Sequence, residues 1–178
     1  DIVQLINIQN RLKDTDSGDY LFKAQYISLE DKNFIAARSN SALSKEEYFS
    51  KIVRFKNLSD DEIMKTVKSG AKNYYVFPAE TITLSGTKTK AISLVTSFEQ
   101  GGKKVGYMNS IIAVNSVCKA ALEGFEAGAV GIYDENKTLL YADKDCKTDF
   151  YNYDKMLISG NNVVIASRSD YNRWTYVV

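Results

Sequence analysis

Tyr26-Ile-Ser-Leu-Glu-Asp-Lys-Asn-Phe-Ile-Ala-Ala37 carries the clearest structural signal in this sequence. Its two ends are rich in aromatic and β-branched residues, and the polar run Glu30-Asp-Lys-Asn33 separates them. Strands favour the first kind of residue and tight turns favour the second, so the pattern predicts a β-hairpin. We expect its two strands over residues 20–29 and 34–37.

The same pattern returns in the C-terminal part of the chain. There Val130-Gly-Ile-Tyr133 and Thr138-Leu-Leu-Tyr-Ala142 flank the polar run Asp134-Glu-Asn-Lys137. A hairpin that is repeated so far along the chain indicates two sheets in tandem. We therefore predict two antiparallel sheets, each beginning with one of these hairpins, and not one continuous sheet.

Two helices are predicted after the first hairpin. Each begins with a serine three residues before a glutamate, in Ser44-Lys-Glu-Glu47 and Ser59-Asp-Asp-Glu62, which is the capping-box pattern. The second helix is expected to end at Ser69-Gly70. The apolar residues expected on the buried faces are Tyr48, Phe49, Ile52, Val53 and Phe55 in the first helix and Ile63, Met64 and Val67 in the second.

The middle of the sequence has the alternating pattern of strands. Four strands are predicted, over residues 74–77, 81–84, 91–98 and 105–114. Pro78, the only proline, is expected to end the first of them, and Gln100-Gly-Gly-Lys103 is a good hairpin connection between the last two.

The remaining segments are short. An amphipathic pattern predicts a helix at the start of the chain, within residues 1–17, and a second helix over 115–127. A polar, tyrosine-rich loop is expected over 143–162, and a closing hairpin from 163–167 and 174–178. Strands that are grouped apart from helices indicate an α+β fold with antiparallel sheets.

Composition excludes several functions. The 23 lysines and arginines and 22 aspartates and glutamates leave a net charge of +1, with no basic run that suits nucleic acid. The sequence has no histidine, so the commonest general base and transition-metal ligand is missing. It has no apolar stretch long enough to cross a bilayer and begins with Asp1, so we expect a processed protein or a piece of a longer one, with any membrane anchor outside it.

The order of these elements resembles the double Cache family, the tandem PAS-like extracellular domains of bacterial histidine kinases, chemoreceptors and membrane-bound regulators. Three stretches carry the resemblance: Tyr26 to Ala37 with the helix of Glu47-Tyr48-Phe49 behind it, Val105-Gly-Tyr-Met-Asn-Ser-Ile-Ile-Ala-Val114, and Gly131-Ile-Tyr-Asp-Glu-Asn-Lys-Thr-Leu-Leu140 with the closing Trp174-Thr-Tyr-Val-Val178. The sequence is most similar to Gram-positive sensors attached to YesM-like kinases or AraC-type regulators.

The resemblance implies two PAS-like (Cache) antiparallel sheet modules with a leading N-terminal helix. Residues 1–17 would be the signalling helix, residues 18–127 the larger membrane-distal module with its connecting helix, and residues 128–178 the smaller membrane-proximal module. It implies a non-enzymatic domain on the extracellular side of the cell membrane, held by flanking segments outside this chain. The domain would pass the binding of a small molecule to a cytoplasmic kinase or transcriptional regulator, and a homodimer is left open.

One departure from the family bears on the ligand. Family members that bind amino acids resemble one another in an Arg-x-Trp-Tyr run, and the only tryptophan here, Trp174, lies near the end of the chain. Amino-acid sensing is therefore unsupported by the sequence. The alternative to a signalling receptor is a secreted or surface binding module with no signalling role.

A ligand pocket is expected in the larger module, because aromatic walls and a guanidinium group suit a small anionic or polar ligand. Its predicted residues are Arg54, Tyr74, Tyr75, Phe77 and Tyr107. No cofactor, metal or nucleic acid is expected. Four lysines cluster near strand ends and are interpreted as guards of exposed edges or as residues that keep the surface soluble, with no separate function: Lys88, Lys90, Lys103 and Lys104.

Three other patterns have plainer explanations. Ser116-Val-Cys-Lys119 matches the Ser-x-x-Lys of serine acyl enzymes, but no Lys-Thr-Gly element follows it. The acidic segment from Asp143 to Asp154 resembles a calcium loop but has Thr148 where the turn glycine belongs, so a solvated loop is the better interpretation. Cys118 and Cys146 are either one disulfide or two unrelated thiols.

Overall fold

A computed structural model describes residues 22–38, 43–124, 128–144, 146, 156–159, 162–170 and 172–178 of the chain. Contacts within the chain divide it between Ala113 and Val114 into two compact units. The helix predicted within residues 1–17 lies outside the described residues. The predicted division into 1–17, 18–127 and 128–178 stays a prediction.

In the described part of the first unit, seven strands form one sheet. They are β1 (Phe22–Leu29), β2 (Phe34–Ala37), β3 (Leu43–Ser44), β4 (Val53–Phe55), β5 (Tyr74–Leu84), β6 (Thr87–Gln100) and β7 (Lys103–Ala113). Their order in the sheet is β3-β2-β1-β7-β6-β5-β4, and every neighbouring pair is antiparallel. The hairpin predicted at 20–37 is therefore confirmed as β1 and β2.

The second predicted helix is confirmed as α2 (Asp60–Ser69), after a short α1 (Lys45–Glu47). Its capping box is complete: Ser59 Oγ accepts from the Glu62 N–H, and the Glu62 carboxylate accepts from the Ser59 N–H. Both bonds satisfy donors that would otherwise be left open at the start of the helix. The helix ends at Ser69, as its sequence predicts.

The first predicted helix is shorter than expected, and the prediction that Val53 and Phe55 lie on its buried face is wrong. After α1 the chain continues as a π-helical stretch, Tyr48–Ile52, and then becomes strand β4. Val53-Arg-Phe55 pairs with Ile82 to Leu84 of β5. Two effects favour a strand here: pairing with β5 and the β-propensity of valine and phenylalanine. Together they outweigh the helical spacing of the apolar residues.

Pro78 does not end a strand, contrary to the prediction. Strand β5 runs without a break through the two strands expected at 74–77 and 81–84, and its register against β6 shifts between Phe77 and Glu80. A proline has no N–H for the ladder, so an irregularity of this kind is where a strand tolerates it. The predicted β6–β7 turn is confirmed: Gly101 and Gly102 both have positive φ, which glycine adopts without strain.

The two faces of the larger sheet are packed differently. One face, here called the covered face, packs against α2 and the π-helical stretch and holds the main core, including Tyr26, Val95 and Ile111. The opposite face carries a smaller apolar cluster around Ile27 and Ala36. Side chains of successive residues in a strand point to opposite faces, so the position of a residue along the strand determines the face on which its side chain lies.

Among the described residues of the second unit, one helix and six short strands are formed. They are α3 (Val114–Ala121), β8 (Gly131–Tyr133), β9 (Leu139–Ala142), β10 (Leu157–Ser159), β11 (Asn162–Val164), β12 (Ala166–Arg168) and β13 (Thr175–Val177). Four strands form a sheet in the order β12-β13-β8-β9, and β10 pairs with β11. Because β1–β2 and β8–β9 belong to different sheets, the predicted pair of tandem sheets is confirmed.

Three boundaries in the second unit differ from prediction. The helix expected over 115–127 ends at Ala121, and residues 125–127 lie outside the described part. The loop expected over 143–162 contains β10, and the strand expected over 163–167 is divided between β11 and β12. Contact grouping also places α3 with this unit, whereas the prediction joined it to the larger module.

Candidate functional site

A group of buried polar side chains lies on the covered face of the larger sheet. We call it the buried polar cluster; its members are Tyr26, Ser28, Ser93, Tyr107 and Asn109. The strand register places Tyr26 opposite Asn109 and Ser28 opposite Tyr107. Each member is at most 4% exposed. Polar groups this deep in an apolar core are uncommon and need hydrogen-bond partners.

Asn109 is the centre of the cluster. Its Nδ2 donates to the Tyr26 hydroxyl at 3.0 Å and to Ser93 Oγ at 3.4 Å. Burial raises the pKa of both Tyr26 and Tyr107, although hydrogen bonds to Asn109 and Tyr107 work against this in Tyr26. Both phenols therefore stay protonated at physiological pH, and every group of the cluster is neutral.

Two atoms of the cluster are left without a hydrogen bond. Within the described residues, Ser28 Oγ and Asn109 Oδ1 are fully buried and have no partner. Leaving such an atom unpaired costs about 1–3 kcal/mol. Buried polar atoms of this kind are satisfied in proteins by an ordered water or by a further polar group.

Asp60 joins the cluster to the helix that covers it. The Tyr107 hydroxyl donates to Asp60 Oδ1, and Lys45 Nζ donates to Asp60 Oδ2 at 3.0 Å. The side chains of Lys45 and Asp60 are only 21% and 12% exposed, so the pair is more shielded than an ordinary surface ion pair. Asp60 is the first residue of α2, and the start of that helix is therefore fixed to β7.

The other end of α2 is fixed to the same strand by Lys104. Its Nζ donates to the Gly70 carbonyl at 2.6 Å, to the Lys72 carbonyl, and to the Tyr75 hydroxyl at 2.9 Å. The ammonium also lies 5.2 Å from the centre of the Tyr75 ring. Lys104 thus has a structural role in addition to the one expected from the sequence, and its expected part in guarding strand edges or keeping the surface soluble stays a prediction.

A groove of about 550 Å³ opens beside α2. It is lined by Glu30, Lys45, Asp60, Asp61, Met64, Lys65, Lys68 and Ser69. Two ion pairs, Lys45–Asp60 and Lys68–Glu30, lie along it. Since Asp60 lines the groove and also accepts from Tyr107, it connects the groove to the buried polar cluster.

The five predicted site residues are not all brought together. Tyr75, Phe77 and Tyr107 belong to the covered face, where Tyr107 is fully buried. Tyr74 precedes Tyr75 in β5, so its side chain lies on the opposite face. Arg54 is exposed on β4, between Val53 and Phe55. A ligand-binding role for these five residues stays a prediction.

Sequence reasoning missed Asn109, Ser28, Ser93 and Asp60. A signal was present for Asn109, because asparagine is rare in strands and this one alternates with Tyr107 and Ile111, which are buried. No comparable signal marked Asp60, whose place in the helix start suggests only a favourable interaction with the helix dipole.

Two other candidate motifs lie in the second unit. Ser116 and Lys119 lie on α3, half-buried and exposed respectively. Most of the segment from Asp143 to Asp154 lies outside the described residues, and in the part described the Asp143 carboxylate accepts from the Val130 N–H and the Tyr141 hydroxyl. Among the described residues, no three acidic or cysteine side chains are grouped to hold a metal ion, and no helix is long and apolar enough to cross a membrane.

Cys118 and Cys146 are free thiols, each half-buried. Burial, followed by the negative charge of Asp143, raises the pKa of Cys118 to about 11 and raises the pKa of Cys146 as well. The thiolate is the reactive form, so neither cysteine is activated as a nucleophile.

Replacing Ser28 by alanine is expected to raise the free energy of unfolding by about 1 kcal/mol, since it removes a buried hydroxyl with no partner. Ser110→Ala is the matched control, because Ser110 Oγ accepts from Gln25 Nε2 at 3.0 Å and its loss should destabilise by about 1 kcal/mol. Urea denaturation measures both. Equal destabilisation by the two changes would contradict the assignment of Ser28 as an unpaired group.

No family model matches this sequence, and no curated protein matches it either. Solved structures do match over almost the whole chain. The periplasmic sensory domain of the Campylobacter jejuni chemoreceptor Tlp1 is 13% identical with a TM-score of 0.56, covering 97% of this chain and 76% of that one. The ligand-binding domain of the Pseudomonas aeruginosa chemoreceptor PctC, in complex with GABA, is 12% identical with a TM-score of 0.55, covering 97% and 78%.

A third match is the ligand-binding domain of the Pseudomonas fluorescens chemoreceptor CtaA in complex with L-serine. It is 11% identical with a TM-score of 0.51, covering 98% of this chain and 86% of that one. At such identities the likeness extends to the fold alone. It confirms the predicted fold class, an α+β fold of PAS-like, Cache-type antiparallel sheets.

Proposed function

We propose that this chain is the extracellular ligand-sensing domain of a bacterial transmembrane signalling receptor, either a two-component sensor kinase or a membrane-bound transcriptional regulator. The observation that carries the proposal is the groove beside α2, which Asp60 connects to the buried polar cluster through Tyr107. The proposal is supported by analogy, because the fold of this chain is similar to the folds of three chemoreceptor sensory domains. Two of those domains were solved with a small molecule bound.

Binding can be converted to a signal only if the ligand prefers one of two conformations. A ligand that bonds to Ser28 Oγ and Asn109 Oδ1 would remove the cost of these unpaired atoms in the bound state alone. The cluster is covered by α2, which is fixed to β7 through Asp60 and Lys104. We therefore take α2 as the element whose position distinguishes the two conformations.

The finer features of the receptor are part of the same proposal. The chain would be a double Cache domain of a Gram-positive bacterium, with the modules at 18–127 and 128–178 and the signalling helix at 1–17. It would be held at the membrane by flanking segments and would have no enzymatic activity, since the Ser116–Lys119 pair lies on a structural helix and the sequence has no histidine.

A thermal-shift screen of small metabolites tests the proposal. At a hundredfold excess over Kd, a ligand that binds only the folded state adds about 2.7 kcal/mol to the free energy of unfolding. We expect at least one compound to raise the melting temperature of the unaltered chain. The rise should disappear in Asn109→Leu and persist in Ser110→Ala, which lies on the opposite face.

Two outcomes would contradict the proposal. The first is a screen that covers amino acids, organic acids, sugars, polyols and nucleosides and yields no shift. The second is a shift that survives Asn109→Leu but is lost in Asn172→Ala, a change in the second unit, because the ligand would then bind away from the buried polar cluster. Cooperative melting of each variant without ligand shows that it is folded.

A further inference from the structure

We propose that the groove beside α2 takes a short peptide with free ends. The ammonium group of the peptide would pair with Asp61, and its carboxylate group would pair with Lys65. This inference rests on the function proposed above and deepens it, because it names the class of ligand and two residues that would recognise it.

The charges that line the groove are balanced in total but not all paired. The lining contains three carboxylates and three ammonium groups: Glu30, Asp60, Asp61, Lys45, Lys65 and Lys68. Lys45 pairs with Asp60 at 3.0 Å, and Lys68 pairs with Glu30. Within the described part of the chain, the side chains of the other two, Asp61 and Lys65, have no ion pair and no hydrogen bond. A ligand with a single charge would meet one partner and one group that repels it, whereas a zwitterion would meet two partners.

The two open charges lie on the same face of α2. Asp61, Met64, Lys65 and Lys68 follow the i, i+3, i+4, i+7 spacing, which places them in one stripe along the helix. All four line the groove. Asp61 and Lys65 are exposed, and Met64 is 8% exposed. The stripe therefore presents a negative group, an apolar contact and a positive group in this order.

The spacing of the two open charges determines the length of the ligand. Four residues of an α-helix rise about 6 Å along its axis. A free α-amino acid has both of its charged groups on one carbon, so it pairs well with only one end of the stripe at a time. Each residue of an extended peptide adds about 3.3–3.6 Å, so the ends of a dipeptide or tripeptide can meet Asp61 and Lys65 together.

The size of the groove also favours a peptide over a single amino acid. Its volume of about 550 Å³ lies within the range of roughly 300–1,000 Å³ for pockets that hold drug-sized molecules. Two or three residues fill more of this space than one residue does. Met64 gives a small apolar side chain of the peptide a surface to pack on, since the methionine side chain adapts to groups of different shape.

Isothermal titration with matched peptides tests the ligand class. The probes are L-Ala-L-Ala-L-Ala with free ends, its N-acetyl form, its C-terminal amide, the form blocked at both ends, and L-alanine. We expect trialanine with free ends to bind most tightly. Blocking either end should raise Kd about 5-fold, the upper end of the effect of an ion pair that water still reaches, and L-alanine should bind at least as weakly as the singly blocked peptides.

Two substitutions test the site. In Asp61→Asn, acetylation of the peptide should no longer change Kd, because the partner of the ammonium group is gone. In Lys65→Met, amidation should no longer change Kd, because the partner of the carboxylate is gone. The matched controls are Glu99→Gln and Lys88→Met, at exposed positions of β6 that do not line the groove. Both controls should keep the two end-group effects, and cooperative melting of each variant shows that it is folded.

The outcomes distinguish this inference from the function on which it rests. A doubly blocked peptide or L-alanine that binds as tightly as free trialanine would overturn the ligand class and leave the sensing role standing. End-group effects that persist in Asp61→Asn and in Lys65→Met would overturn the site. If no peptide binds but a compound of the metabolite screen raises the melting temperature, the peptide class is wrong and the sensing role stands. If neither binds, both are wrong.

Discussion

Replacing Gly106 by valine is expected to cost the larger unit about 3 kcal/mol or more of its free energy of unfolding. Gly106 lies in β7, opposite Leu29 of β1. A Cβ at this position would lie 2.5 Å from the Ser28 carbonyl oxygen and 2.6 Å from Leu29 Cδ2. The oxygen belongs to the backbone of a paired strand, so it cannot move away without disturbing the pairing of β1 with β7.

Urea denaturation followed by far-UV circular dichroism measures this effect. Lys103→Val is the matched control, because Lys103 is exposed in the same strand and valine suits a strand. The control should change stability by no more than about 0.5 kcal/mol. A Gly106→Val chain that unfolds at the same urea concentration as the control would show that β1 and β7 are not paired in this register.

Replacing Trp174 by alanine is expected to destabilise the second unit by about 3–5 kcal/mol. Trp174 is the largest of the fully buried side chains and is 2% exposed. Its backbone is also held, since its N–H donates to Asn172 Oδ1 at 3.0 Å and its carbonyl accepts from the Ser169 N–H at 2.8 Å. These bonds keep the chain in place around the cavity that alanine would leave, so the site cannot collapse to fill it.

Hydrogen exchange read out by mass spectrometry measures this loss, because the change removes the only tryptophan and with it the fluorescence signal. Amides of β8, β9 and β13 should lose protection. Ser167→Ala, at an exposed position of the neighbouring β12, should leave them protected. Unchanged protection in Trp174→Ala would mean that the four-stranded sheet does not depend on this side chain.

Much of the fold follows from local patterns in the sequence. The polar runs at Glu30–Asn33 and Asp134–Lys137 fix two hairpins, and the Ser59–Glu62 capping box fixes the start of α2, because each depends on residues within a few positions of one another. The errors at Val53, Phe55 and Pro78 have a different cause. There the structure is set by pairing with a strand that lies further along the chain, which local spacing does not show.

The site was harder to predict than the fold for the same reason. The aromatic residues of the larger module were the reason for predicting a pocket there. Aromatic content, however, does not show on which face of a strand a side chain lies. Arg54 and Tyr74 were grouped with Tyr107, from which alternation along the strands separates them. The bond from Asn109 to Tyr26 joins residues 83 positions apart, and only the pairing of β1 with β7 brings them together.

The place of β1 in the sheet has a consequence for how the protein is made. Synthesis proceeds from the N-terminus, so β1 and β2 emerge long before β7, the strand that must cover the other side of β1. A two-stranded hairpin is only marginally stable by itself, and closing so long a loop is slow. Until β7 arrives, the open edge of β1 can pair with other chains. The nascent chain is therefore most prone to aggregate through its first hairpin. This risk ends when residues 103–113 pair with β1 and cover its open edge.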